Sequence, residues 1–296
     1  MPRHADGRAF DIVAAILLAG VAALCAIPFL SVIATSLIGG REYAMRGLFI
    51  LFPQKPVLNA YFMLLGQGSI VLNATGVTAL RVTVGVLLNL LFTFPLAYVL
   101  SKRRLVGRTA LTLLVFFTML FDGGLIPNFI LVERLGLLDR FWALILPGLI
   151  NPWWLLIMRN FLATIPEELE EAALIDGANP AQVLSQIVLP LSLPVVATVG
   201  LWYAVVHWNA WFDAAIYIAD VRKLPLQPIL RGLLEQGMGQ YNDFSGLAQA
   251  LELAEPPPAE SLKAAMIVIT TLPILLIYPF VQRYFVSGVR LGALKG

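Results

Sequence analysis

Charge is what this chain has least of. Asp, Glu, Lys and Arg make up 13 % of its 296 residues, against 59 % apolar, whereas a soluble domain of this length carries about a quarter charged. The chain therefore reads as an integral membrane protein. Cysteine is almost missing too: Cys25 stands alone in an apolar run, which excludes an internal disulfide and any cysteine metal cluster. The two histidines are His4 and His207. With one cysteine they leave little from which to build a membrane-embedded enzyme, which needs a nucleophile and base or a metal cluster, and no metal site is expected. A net charge of +2 carries no pull toward nucleic acid. There is no Gly-x-x-x-x-Gly-Lys-Ser/Thr phosphate loop, so ATP hydrolysis, if the protein depends on it, comes from another chain. No internal repeat is visible and no paired intramembrane charges stand out. Both count against an ion-coupled secondary transporter built from matched halves.

Long apolar runs are what the chain does have. They cover about 10–37, 71–100, 111–132, 141–158, 191–219 and 264–280, and crossing hydrocarbon takes roughly 20 residues of helix. The first exceeds the apolar region of a signal peptide and is read as retained. The third is interrupted by Asp122-Gly123-Gly124 and Pro127 and should kink. The expected architecture is all-α, with about six transmembrane helices. Residues 1–70 form an N-terminal span and first periplasmic loop, and residues 71–296 form the core. Six spans put both termini on one side. The basic cluster Lys102, Arg103, Arg104 and Arg108 lies in a tight loop against the membrane, and the positive-inside bias makes that side the cytoplasm. The segment 220–263, with Pro256-Pro257-Pro258, reads as a partly irregular outer loop.

Between the fourth and fifth runs lies an anomalously polar stretch, Glu167 to Pro194. Thr164 followed by Glu167 fits a capping box with Pro166 in the first turn, and Glu167, Glu168, Glu170 and Glu171 suit the positive end of the helix dipole. Asp176-Gly177 should end this helix. Asn179 should cap a second one that starts at Pro180 and stops at Leu189-Pro190. Spacing alone allows an ordinary interfacial hairpin stitching two spans together.

The sequence Glu171-Ala172-Ala173, three residues, Gly177, nine residues, Ile187, one residue, Leu189-Pro190 resembles the EAA signature of permease subunits of bacterial ABC importers. The likeness runs from about Asn73 to the C-terminus. It includes Ala97-Tyr98, Ser101-Lys102-Arg103, Trp208-Asn209 with Trp211, and Gly292-Ala293-Leu294-Lys295-Gly296, and within the class it is similar to the maltose-type carbohydrate permeases of the oligosaccharide and polysaccharide branch. The resemblance implies a type I importer permease fold in the bacterial inner membrane, with no catalytic residues. It implies partners: an ATPase subunit dimer that binds ATP and Mg, a second and different permease, and an extracytoplasmic solute-binding protein. Glu170, Glu171, Ala172, Ala173, Asp176 and Gly177 would couple to the ATPase. The substrate it implies is an oligosaccharide or polysaccharide fragment, acidic ones such as alginate included; a non-sugar solute for the same importer class is the alternative.

Aromatic faces stack on sugar rings and amides or carboxylates bind hydroxyls, so Tyr203, Trp208, Asn209, Trp211 and Asp213 are candidate pathway residues. The competing explanation for the aromatics is an interfacial belt. Asn209 and Asp213 are stronger, because a polar group within a span is expensive unless it faces protein or water. Arg81 lies about ten residues into the second run, on the order of 15 Å along a helix. It is either a snorkelling interfacial arginine or an attractor for an anionic substrate.

Overall fold

The computed structural model describes residues 5–47, 50–66, 68–236 and 257–293, with the backbone alone for 5–9, 236 and 278–293. His4, residues 237–256 and residues 294–296, on which parts of the sequence reading fall, lie outside them. Among the described residues every regular element is helical. In chain order these are α1 (Ala5–Ser36), α2 (Gly40–Arg46), α3 (Asn59–Leu65), α4 (Ile70–Ser101), α5 (Arg108–Leu120), α6 (Leu125–Arg134), two 3-10 turns (Phe141–Leu144 and Leu146–Gly148), α7 (Pro152–Leu162), α8 (Glu167–Ile175), α9 (Pro180–Asn209), α10 (Phe212–Tyr217), a third 3-10 turn (Val221–Lys223), α11 (Leu226–Gln236) and α12 (Ala259–Ala293). Four stretches are long and apolar enough to cross a membrane: Phe10–Ser36, Ile70–Ser101, Pro180–Asn209 and Ala259–Ile277. Two bent pairs bring the number to six, in line with the sequence reading.

The bends have local causes. Between α5 and α6 the axis turns by 110°. Gly124 takes φ +83° there, and the Asp122 carboxylate accepts from the Gly124 N–H at 2.6 Å, a turn that only glycine adopts without strain. The expected uninterrupted span over 141–158 is instead a 3-10 approach and α7, bent by 52°. Asn151 restarts the helix by accepting from Trp153 N and Trp154 N, with Pro152 at the first position.

The chain divides into two compact units, Met1–Leu72 with Leu230–Pro273, and Asn73–Ile229 with Ile274–Gly296. In the first, Glu42 staples the loop after α2: it accepts from Gln54 N, Lys55 N and Arg46. Ser261 donates to the Ile38 carbonyl. The second unit has its main core where α4, α7 and α9 meet, around Ala97, Leu100, Leu155, Met158, Val188, Val199 and Tyr203.

A smaller tie in the second unit holds the 133–140 connection to the end of α10. Asp139 takes a positive φ of 56°, a region that aspartate tolerates better than most residues. From there its carboxylate accepts from Ala219 N, Asp220 N and Lys223 Nζ. The hydrogen bond from Lys223, then those from the backbone, hold the Asp139 carboxyl below its ordinary value. A depressed carboxyl adds stability that is complete above the ordinary value and fades as pH falls through it toward the folded value. Asp139→Asn should therefore speed hydrogen exchange at the Ala219 and Asp220 amides at neutral pH. Wild type and variant should converge once the pH lies below the usual carboxylate range; a gap that persists in acid would refute the charged tie.

Candidate functional site

The polar stretch folds as a short helix with a fully bonded exit. Helix α8 begins at Glu167 with Pro166 as its N-cap and no side-chain cap. The expected Thr164–Glu167 capping box does not form: Thr164 is two residues too early and its hydroxyl donates to the Phe161 carbonyl. The C-terminus is as expected. Gly177 takes φ +91°, its N–H reaches the Leu174 carbonyl and the Ala178 N–H reaches that of Ala173, which is a Schellman closure. Asn179 and Gln182 then form a reciprocal capping box with Pro180 at the first position. The second helix does not stop at Pro190. It runs on as α9 to Asn209, through a wide π turn over Val183–Val188. That turn lies just before Pro190, whose missing N–H would break an α-helical ladder at this point.

Helical spacing sorts the six coupling candidates into two faces. Glu170 and Ala173 turn inward: Ala173 packs on the main core, and the Glu170 side chain is 12 % exposed, bonded to Lys102 and Tyr98. Glu171, Ala172, Asp176 and Gly177 are exposed, and Ile175 beside them is 85 % exposed. Glu171 meets Arg104 at 2.9 Å on the surface. The acidic helix and the basic loop thus lie side by side.

The pathway candidates separate as well. Arg81 does not snorkel. It is 2 % exposed, points inward from α4, donates to the Leu144 carbonyl at 3.1 Å and forks onto both oxygens of Asp213. With Tyr203, Asp213, Trp154, Asn151 and His207 it lines a cavity of about 390 Å³. Tyr203 is buried, linked to Thr93 at 2.9 Å and accepting from Asn151 N. Trp208, Asn209 and Trp211 do not line this cavity. They sit at the break between α9 and α10, where the Asn209 amide bonds back to the Val205 carbonyl and Trp211 stacks edge-on with Phe212.

Sequence reasoning passed over Asn89. Its amide nitrogen donates to the Gly148 and Leu149 carbonyls, so its oxygen accepts from His207 Nε2 at 2.7 Å. That fixes the histidine as the Nε2–H tautomer. A lone amide in an apolar run was the available signal, because hydrocarbon penalises it unless a partner is supplied. Gly85, one turn earlier, permits the approach: a β carbon there would lie 2.4 Å from His207 Nε2.

Comparison with known proteins adds to this geometry. Residues 84–291 match the family described as binding-protein-dependent transport system inner membrane component. The polygalacturonan/rhamnogalacturonan transport system permease protein YtcP of Bacillus subtilis is 42 % identical over 289 residues, 98 % of this chain and 99 % of that one. Protein LplC of the same organism is 44 % identical over 290 residues, 98 % and 96 % of the two chains. Among solved structures, a chain from a bacterial ABC transporter involved in the import of the acidic polysaccharide alginate superposes with a TM-score of 0.87 at 31 % identity, covering 96 % of this chain and all of that one.

The crossing at Gly85 yields a direct test. Gly85→Ala should displace the His207 ring and cost about 1–3 kcal/mol, the usual range for overpacking, read as a lowered unfolding temperature of the purified protein in detergent. Gly76→Ala, where nothing lies within 4 Å of the added carbon, should not lower it.

Proposed function

Because the chain belongs to the binding-protein-dependent transport system inner membrane components, the permeases of ABC importers, we propose that it lines half of the route by which a carbohydrate polymer fragment enters the cell. It is a multi-pass inner-membrane permease, non-catalytic and without a nucleotide site of its own. Such a permease works with an ATPase and a binding protein. The finer assignments are our inference: a second, different permease completes the route, both termini face the cytoplasm, and residues 71–296 are the working core behind an outer span and loop at 1–70. The substrate class follows the relatives, one named for polygalacturonan and rhamnogalacturonan and one belonging to an alginate importer. Acidic oligosaccharides are therefore the first substrates to try.

The observation that carries the mechanism is the α8 face. Glu171, Ala172, Asp176 and Gly177 stand exposed next to Ile175, on a helix whose exit is locked by hydrogen bonds. An ATPase subunit docks there, with small Ala172 permitting close approach and Ile175 supplying apolar contact. Glu170 and Ala173 belong to the same coupling element on its inner side. Closure of the ATPase pair on ATP moves this element as a rigid body and switches the spans between inward- and outward-facing states. The cavity wall of Arg81, Tyr203 and Asp213 faces the sugar route, and Trp208, Asn209 and Trp211 border it at the α9–α10 break.

Gly177→Asp and Glu171→Lys should each abolish substrate-stimulated ATPase activity in the assembled transporter while the permease still inserts. Normal coupling in both variants would overturn the docking assignment. For the substrate, uptake should favour uronate oligosaccharides over neutral ones of equal length, and Arg81→Ala should erase that preference. No preference in wild type, or an unchanged one in the variant, removes the acidic-substrate assignment.

A further inference from the structure

Helix α8 has nine residues, too few to hold itself helical in water, so its position is set by what it touches. Its chain connections lead to α7 and, through the capped turn at 176–179, to α9. No chain connection joins it to α4, and only side chains make that link. Ala173 packs on the core that α4 shares with α7 and α9, an apolar contact of the kind that permits small sliding. The polar part does not slide. Glu170 accepts from the Tyr98 hydroxyl at 2.9 Å and receives the Lys102 ammonium on both carboxylate oxygens. The same ammonium sits 4.3 Å from the centre of the Tyr98 ring, within cation–π range. Each of the three groups touches the other two. The neighbouring pair Arg104–Glu171 has side chains 82 % and 51 % exposed, whereas Lys102 and Glu170 are 27 % and 12 % exposed; an exposed pair of that kind contributes little.

Farther back along α4, polar contacts tie the helix as well. Asn89 holds the Gly148 and Leu149 carbonyls and His207, and Arg81 holds Asp213 and the Leu144 carbonyl. From Tyr98 to Arg81 is on the order of 25 Å of helix. We propose that Tyr98, Lys102 and Glu170 form the joint through which displacement of α8 is passed to α4, and so to the Arg81 wall of the cavity. They are positioning residues: Glu170 acts on α4 and does not contact the ATPase. The joint rests on the reading of α8 as the ATPase-docked element.

The test uses the whole transporter, with its ATPase and partner permease, in lipid nanodiscs. Tyr98→Phe, Lys102→Met and Glu170→Gln should leave the complex assembled, with basal ATP hydrolysis and the KM for ATP unchanged. The ratio of substrate-stimulated to basal hydrolysis should fall about 5-fold or more, the lower end of allosteric couplings, and transport per ATP should fall with it. The exchange Lys102→Glu with Glu170→Lys should restore most of both. Full stimulation in Lys102→Met and Tyr98→Phe with a loss only in Glu170→Gln would mean that Glu170 works on the ATPase itself, and would overturn the joint. An exchange variant no better than the single variants would overturn it too. The two readings fail separately: intact coupling in Gly177→Asp sinks the docking assignment, while uncoupling in Gly177→Asp beside full coupling in Lys102→Met sinks the joint alone.

Discussion

A guanidinium inside a membrane protein has to be answered by a carboxylate, and the larger unit of this chain is arranged around that demand. Arg81 is buried and finds Asp213, 132 residues away in sequence. Asp213 reaches it from the first turn of α10, after the break that follows Asn209. Removing Asp213 would leave the buried guanidinium uncompensated, at a cost of about 3–5 kcal/mol in buried sites. Asn89 and Thr93 extend the same requirement along α4: the Asn89 amide meets the Gly148 and Leu149 carbonyls before α7 and the His207 ring on α9, and the Thr93 hydroxyl meets that of Tyr203 on α9, which also accepts from Asn151 N at the start of α7. The apolar core supplies most of the packing. The polar contacts fix which residue meets which.

The same division explains what could be read in the sequence. Helix, span and loop follow from hydropathy and length, so the all-helical fold and the six apolar runs were legible. Local caps were legible where all their members lie within a few residues, as with Gly177 and with Asn179 before Pro180. The cap at Thr164 was misread because Pro166 takes the N-cap position itself. The stop at Pro190 was misread because a π turn absorbs the missing donor. Partners distant in sequence were not legible. Nothing local says that Arg81 turns inward, that Lys102 leaves the basic loop to meet Glu170, or that Trp208 and Trp211 lie away from the cavity that Tyr203 lines. Gly85 and Asn89 were passed over in an apolar run, yet the first makes room for His207 and the second orients it.

The bend between α5 and α6 bears on the membrane as much as on the protein. Thirteen residues of α5 rise about 20 Å, well short of the roughly 30 Å of hydrocarbon in a typical bilayer. After the 110° turn the remainder of this broken span falls to α6. Leu113, Leu114, Phe117 and Leu120 are exposed along the short limb, so its surroundings are apolar. The depth that α5 leaves unfilled has to be covered by α6, by a thinner bilayer or by a second chain lying against it. Where the bilayer closes that depth, each ångström of mismatch adds a modest cost, so the same bend ties the shape of one helix to the length of the lipid chains around it.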